Sequence, residues 1–358
     1  MTRLRVAALV VAATAGLVSP PTVGARRPIP LFAYYYIWFN ATSWQRAKLD
    51  YPLLGRYSSD ETRTMRQHVR WAKEAGIDGF IVSWKSTPVL NRRLAKLVAV
   101  ADAERFKLAI IYQGLDFHRQ PLPAQRVGDD LVFFEKRFAR DRAFRIFSKP
   151  LVIWSGTWNF SVTDVRRVTR RVRPALLVLA SQRQRDDYLA LAGAVDGNAY
   201  YWASVDPRRT PGYAEKLQEM GAAVHAHGGL WIAPAAPGFD ARALGGASVV
   251  ERRDGATLRD EMATALRSSP DAIGVISWNE FSENTHIEPS KRYGGKYLGV
   301  LAELQHAHAP RLVDFDSDES ATTGFGYALW FVVGAAAFIV LGGGVAVRRH
   351  VKRGQTAG

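Results

Sequence analysis

The chain has 358 residues and no cysteine. That excludes disulfides, a cysteine nucleophile and thiolate metal sites. It leaves the compartment open, because a core of this size does not need disulfide staples. Histidine is scarce, at eight residues, and no H-E-x-x-H or facial-triad pattern occurs. No metal or other cofactor is therefore expected. No G-x-G-x-x-G loop follows an apolar run, and Tyr293-Gly294-Gly295 is too short to serve as one, which argues against a bound dinucleotide. There is no G-x-S-x-G elbow to carry a Ser–His–Asp hydrolase. Acids are in the minority, with 33 Asp and Glu against 48 Lys and Arg and a net charge of +15. Such a surface suits anionic lipids or wall polymers. No nucleic-acid-binding signature accompanies it, so nucleic acid is not an expected partner. The densest basic run, Arg166, Arg167, Arg170, Arg171 and Arg173, reads as the solvated face of a helix.

The longest apolar runs sit at the two ends. Arg3 and Arg5 precede an apolar stretch from Val6 to Val18, and Val23-Gly24-Ala25 offers small residues for cleavage. This pattern predicts a signal peptide over 1–25. Tyr327 to Val347 is uncharged over 21 residues, enough for a helix of about 30 Å, the hydrocarbon thickness of a bilayer. Arg348, Arg349, Lys352 and Arg353 follow at once. Positive charge stays on the cytoplasmic side, so the domain before the helix is expected outside the cell membrane. The predicted organisation is a domain over 26–312, a stalk over 313–326, a transmembrane helix over 327–347 and a basic cytoplasmic tail over 348–358. Nothing in the sequence sets an oligomeric state.

Between the ends, strand-like runs begin near Phe32, Gly79, Lys107, Leu151, Leu176, Val195, Leu230 and Ala272. Helix-like stretches separate them. Ser58 and Glu61 form a capping box before a stripe of Met65, Val69 and Ala72, and Gly76 ends that helix. Leu90, Leu94, Leu97, Val98 and Ala101 mark the second helix. Later helices are expected over 131–147, 164–173, 186–191, 213–225, 258–266 and 296–304. Eight βα units predict the α/β class, a (β/α)8 TIM barrel, here with a C-terminal transmembrane helix.

In such a barrel the chemistry sits at the C-terminal ends of the strands. Those ends carry Tyr34, Tyr36 and Trp38, then Trp84 and Lys85, Tyr112, Trp154, and Tyr201 with Trp202. Flat aromatic faces stack on sugar rings, while their polar tips meet hydroxyls. All nine are predicted substrate contacts, against the alternative that several pack beneath the helices, since strand ends alternate inward and outward.

The last strand runs into Trp278-Asn279-Glu280-Phe281-Ser282-Glu283-Asn284-Thr285-His286-Ile287-Glu288-Pro289, with three carboxylates in nine residues. Cleavage of a glycosidic bond needs a proton donor for the leaving oxygen and a second carboxylate as base or nucleophile. Glu280 and Glu283, three residues apart, can point the same way. A shared pocket would hold one neutral and one ionised. The competing account is a Glu-rich helix N-terminus stabilised by the macrodipole. His286 and Glu288 join the predicted substrate contacts, with His286 read as a structural or substrate-contacting side chain rather than a metal ligand.

The W-N-E-F-S-E-N-T-H-I-E-P segment resembles the signature of glycoside hydrolase family 99, the endo-α-mannosidase family. Phe32 to Phe39 is similar to that family's first strand. Pro52 to Ser59 with Ala75 to Trp84 is similar to its second unit. Val195-Asp196-Gly197 before Tyr200-Tyr201, and Pro237 to Asp240, are similar to later strands. The resemblance implies a (β/α)8 barrel without metal or cofactor that cleaves within α-mannosyl chains with retention. It implies that Glu280 deprotonates the sugar 2-hydroxyl, giving an anhydro-sugar intermediate. Glu283 would then act as general acid and afterwards as base on water. It also implies that Asn279 contacts the sugar and that Tyr201 lines the subsite. Phe281, Ser282 and Asn284 depart from the family's Trp, His and Gly. Gln113 stands where the family tends to carry Glu. Fold and reaction class therefore transfer better than sugar specificity. Glu288 to Gly294 also resembles a related domain of polysaccharide-synthesis proteins. Glycan assembly, or glycan binding without catalysis, are the alternatives.

Overall fold

Side-chain alternation along the strands sets the architecture. In β1 (Leu31–Tyr36), Phe32 and Tyr34 join one apolar cluster while Leu31, Ala33 and Tyr35 join another. The same division recurs in β2 (Gly79–Trp84), β3 (Lys107–Gln113) and β4 (Leu151–Ser155). One cluster fills the inside of a parallel sheet and the other lies between its outer face and the helices, as strands buried on both faces require. The protein, seen here as a computed structural model, is described over residues 29–116 and 118–312. The expected signal peptide, stalk, transmembrane helix and tail lie outside the described residues. Among the described residues no helix is long and apolar enough to cross a membrane.

The remaining barrel strands are β5 (Leu177–Leu179), β6 (Gly197–Ala199), β7 (Leu230–Ala235) and β10 (Ala272–Val275). Their order is β5-β4-β3-β2-β1-β10-β7-β6, all parallel. A parallel bridge between Ala180 and Asn198 joins the two outer strands, so the ring of eight closes. A short antiparallel pair, β8 (Phe239–Asp240) and β9 (Val249–Val250), sits on the excursion after β7. The sequence expectation of a (β/α)8 barrel is thus met in the described residues.

Among the described residues eight α-helices follow the strands: α1 (Thr62–Glu74), α2 (Pro88–Ala103), α3 (Ala124–Arg137), α4 (Val162–Val172), α5 (Arg185–Leu191), α6 (Tyr213–Ala226), α7 (Ala256–Arg267) and α8 (Lys296–Leu304). Two differ from expectation. The Glu61 carboxylate does accept the Ser58 N–H at 2.7 Å, but the helix starts at Thr62, after that turn. The third helix was expected over 131–147 and occupies 124–137. It begins after Pro123, whose fixed φ suits a helix start, and its end gives way to a 3-10 turn capped by Asp141. Phe138, Ala143 and Phe144 pack on the same core as the helix, which mimicked a longer apolar period. The arginine-rich α4 presents Arg171 to Asp129, while Arg173 just beyond it meets Asp196.

Candidate active site

After β10 the chain folds back on itself. Ser277 N–H donates to the Thr285 carbonyl at 2.9 Å, and Glu288 N–H donates to the Trp278 carbonyl at 2.8 Å. The Ser277 hydroxyl oxygen accepts the Glu280 N–H at 2.8 Å. The Asn279 amide imitates a strand residue: its oxygen accepts Tyr36 N–H at 2.8 Å, and its nitrogen donates to the Tyr36 carbonyl at 3.0 Å. These bonds extend the β1–β10 seam past the last strand residue and set Glu280 and Glu283 at the C-terminal mouth of the barrel.

The loop between β1 and α1 braces this segment. Leu53 N–H donates to the Pro289 carbonyl, and Lys291 N–H to the Tyr51 carbonyl. Beneath them lies a buried polar chain. Tyr57 donates to Glu288 at 2.8 Å and accepts from Asn279 at 3.2 Å. The other Glu288 oxygen meets His68 Nε2 at 3.0 Å, and His68 Nδ1 meets the Tyr35 hydroxyl at 3.0 Å.

The two central acids occupy different surroundings. The Glu280 carboxylate accepts the Ser282 N–H at 2.9 Å. Lys48, which donates to the Ser282 hydroxyl at 2.7 Å, lies close enough to favour its charge. Burial still raises the Glu280 pKa above the usual carboxylate range, with Lys48 and the Ser282 N–H opposing. Glu283 is raised well above it, by burial first and then by the neighbouring Glu280; the charge of Arg119 opposes. The Glu283 carboxyl makes no hydrogen bond among the described residues. Both acids are thus shifted toward the neutral form, Glu283 further than Glu280, an inequality of the kind that acid–base catalysis by two carboxylates needs.

Glu283 borders a small pocket, partly open to solvent, lined also by Tyr201, Trp202, Ala203, Ser204, Phe239 and Ile276. The Tyr36 and Tyr201 hydroxyls are hydrogen-bonded to each other. Burial raises both phenols, and the charges of Glu280 and Glu283 raise them further, which places all four groups together. The Tyr34 ring lies 4.6 Å from Tyr201, and Trp38 stacks on Tyr36 at 4.3 Å.

Not every predicted contact stands at this mouth. Trp84, Tyr112 and Trp154 point away from the barrel axis and pack beneath the helices. Trp84 Nε1 donates to Asn91 at 3.0 Å, Tyr112 donates to Asp130 at 2.9 Å, and Trp154 packs on Phe160 at 4.7 Å. The reason is alternation: each lies in the outward phase of its strand. Asn279 and Glu288 are committed to the brace just described. His286 is sealed below the loop, stacked on Phe281 at 4.0 Å and hydrogen-bonded to Asp50 at 3.2 Å. Burial lowers its pKa to about 3, so it is neutral. These three position the acids rather than face the cavity. Tyr34 is buried inside the barrel, below Tyr201. Lys85 is half-buried and donates to the Leu115 carbonyl at 2.7 Å.

Sequence reasoning did not single out Lys48, Asp50, Tyr57 or His68 as functional, nor Arg119, Arg183 or Phe239. Lys48 and Arg119 are single cations in polar loops and carry no pattern. Tyr57 lay inside a stretch noticed only for its resemblance. Among the described residues no group of three or more His, Asp or Glu side chains is arranged to hold a metal ion.

The sequence model of glycosyl hydrolase family 71 matches residues 51–304. The family 99 endo-α-mannosidase of Bacteroides thetaiotaomicron, in complex with bis-tris-propane, superposes with a TM-score of 0.68 at 20% identity, over 76% of this chain and 95% of that one. A glycoside hydrolase-like protein gives 0.57 at 18%, over 78% and 97%. An exo-β-1,4-mannosidase from Opitutaceae bacterium strain TAV5 gives 0.51 at 12%, over 78% and 59%. At these identities the likeness concerns the fold. No curated protein matches the chain. The matching family model is thus that of family 71, while the family 99 resemblance read from the sequence has its counterpart in the barrel.

Proposed function

This chain belongs to glycosyl hydrolase family 71 and is a glycoside hydrolase; from that premise we propose that it is a retaining, endo-acting enzyme on α-mannoside-like glycans, with Glu280 as base and Glu283 as acid. The observation that carries the reading is the unequal pair. Glu280 is ionised more readily, beside Lys48 and the Ser282 N–H, and Glu283, at the cavity wall, is the more strongly shifted toward its neutral form.

In this reading Glu283 gives its proton to the glycosidic oxygen as the bond to the anomeric carbon breaks. Glu280 takes the proton of the sugar 2-hydroxyl, whose oxygen closes on the anomeric carbon to form an anhydro sugar. The Glu283 carboxylate then takes a proton from water. The resulting hydroxide opens the strained ring at the anomeric carbon, and the 2-oxygen recovers its proton from Glu280. Two inversions leave the configuration retained. Trp202 and Tyr201 supply an apolar wall on which a sugar face can stack. The mannose preference rests on the likeness of the Trp278–Pro289 segment alone.

The domain is further proposed to act outside the cell, tethered by the helix expected over 327–347 with its basic tail inside. Accessibility of an epitope at 348–358 in intact and permeabilised cells tests the orientation; labelling of intact cells would overturn it. For the reaction, the full-length chain is offered α-linked manno- and gluco-oligosaccharides and the products are followed by proton NMR. Internal cleavage with an α-anomer formed first is expected. A β-anomer formed first removes the retaining mechanism. Cleavage of another α-glycan but no mannoside removes the sugar assignment and leaves the reaction class.

A further inference from the structure

Arg183, on the loop between β5 and α5, places its guanidinium carbon 4.6 Å over the Trp202 ring and 5.3 Å over the Trp158 ring. Contact with two indole faces holds the group flat and half-buried. It leaves the N–H donors at the edges unspent: among the described residues no hydrogen bond or ion pair engages Arg183. Two other arginines are committed. Arg242 is paired with Asp240, and Arg253 with Asp260. Asp206, the acid nearest in sequence to Trp202, sits beside Arg209 and Arg253. Asp186 lies against Arg185.

Trp202 also lines the cavity that Glu283 borders, so the arginine stands behind one wall of the site. It is not alone. Arg119 lies in the field of both Glu283 and Arg183, and Lys216, 5.4 Å over the Tyr200 ring, also lies in the field of Arg183. Arg183 thus repels two further cations. A neutral sugar would leave that repulsion in place. A ligand oxyanion would relieve it and could take two parallel N–H bonds from the guanidinium edge.

We propose that the cleft accepts a glycan carrying an oxyanion, a sugar carboxylate or phosphate ester, recognised by Arg183 from its place between Trp158 and Trp202. The inference rests on the glycosidase reading of the same site, but binding and hydrolysis test the two separately. The full-length chain is titrated by calorimetry with one α-linked oligosaccharide in three forms: neutral, carrying a hexuronic acid, and carrying a phosphate ester. An acidic form should bind about tenfold or more tightly than the neutral one, with the difference shrinking at high salt. The form that gains identifies the anion. R183M keeps apolar contact with the indoles and should abolish the preference, while R183K should retain part of it. Equal or tighter binding of the neutral form by the unaltered chain overturns the inference. So does a preference that survives in R183M. Hydrolysis of neutral glycan without acidic preference removes this inference and leaves the glycosidase; charge-selective binding without hydrolysis of any form does the reverse.

Discussion

The Tyr57 hydroxyl donates to Glu288 at 2.8 Å and ties the first βα loop to the segment that carries both central acids. Because Tyr57 also accepts from Asn279, and Asn279 holds the end of β1, one phenol connects three separate stretches of chain. Glu288 and His68 are both fully buried, so this chain of bonds has no water to fall back on. The position of Glu280 and Glu283 depends on it.

Tyr57→Phe should therefore destabilise the fold by about 1–3 kcal/mol, the cost of leaving a buried carboxylate oxygen and an amide donor short of a partner. Urea denaturation measures this. Turnover should fall more than affinity, because the acids shift while the Trp202 wall stays. A change within a few tenths of a kcal/mol would show that the network does not constrain the loop.

Glu283→Gln should lower kcat by about 10²–10⁴-fold on natural glycans, the usual worth of a general acid. A substrate with an acidic phenol as leaving group needs no proton, so the first step should be largely spared there. Glu280→Gln should slow both substrates alike. If the two variants respond identically to leaving-group quality, the separate roles are wrong.

The barrel and its strand positions were legible because apolar runs recur with turn signals between them, and all eight expected strand starts fall within two residues of the observed ones. The acid pair was legible because it follows the last strand directly. Which aromatics reach the mouth was not legible. Tyr112 and Trp154 sit at strand ends as Tyr36 does, and only the register of neighbouring strands decides which phase faces inward. The brace was hidden for a different reason. Asp50, Tyr57 and His68 are more than 200 residues from their partners, and a hydrogen bond of that span leaves no local pattern.

The inward and outward aromatics should separate by assay. Trp202→Ala removes part of the cavity wall and should raise KM roughly tenfold with a smaller effect on kcat. Trp154→Phe, beneath the helices, should cost about 1–3 kcal/mol of stability and leave KM of the folded protein within about twofold. A raised KM for the Trp154 variant would return that residue to the substrate side.

The pH profile of kcat/KM should be bell-shaped, with Glu280 setting the acid limb and Glu283 the alkaline limb. Lys48 lowers the Glu280 pKa through its charge. Removing that charge with Lys48→Met should move the acid limb to higher pH and leave the alkaline limb closer to its place. An unmoved acid limb would mean that another group sets it.

Glu261 on α7 offers a test of stability rather than rate. It is buried and, among the described residues, has no hydrogen bond or ion pair. Burial raises its pKa well above the usual carboxylate value, and the nearby Asp206 and Asp260 add to the effect. The folded chain then holds a proton that the unfolded chain releases once the pH passes the unfolded carboxylate range. Stability is therefore lost as pH rises from that range toward the folded pKa, the reverse of the usual paired carboxylate. Glu261→Gln keeps the shape and removes the titration. Its melting temperature should exceed that of the unaltered chain by a few degrees at pH about 7.5. The gap should close below about pH 4, where the carboxyl is neutral in both states. A gap independent of pH would assign the gain to packing instead. A variant less stable than the unaltered chain at neutral pH would show that Glu261 has a partner that favours its charge.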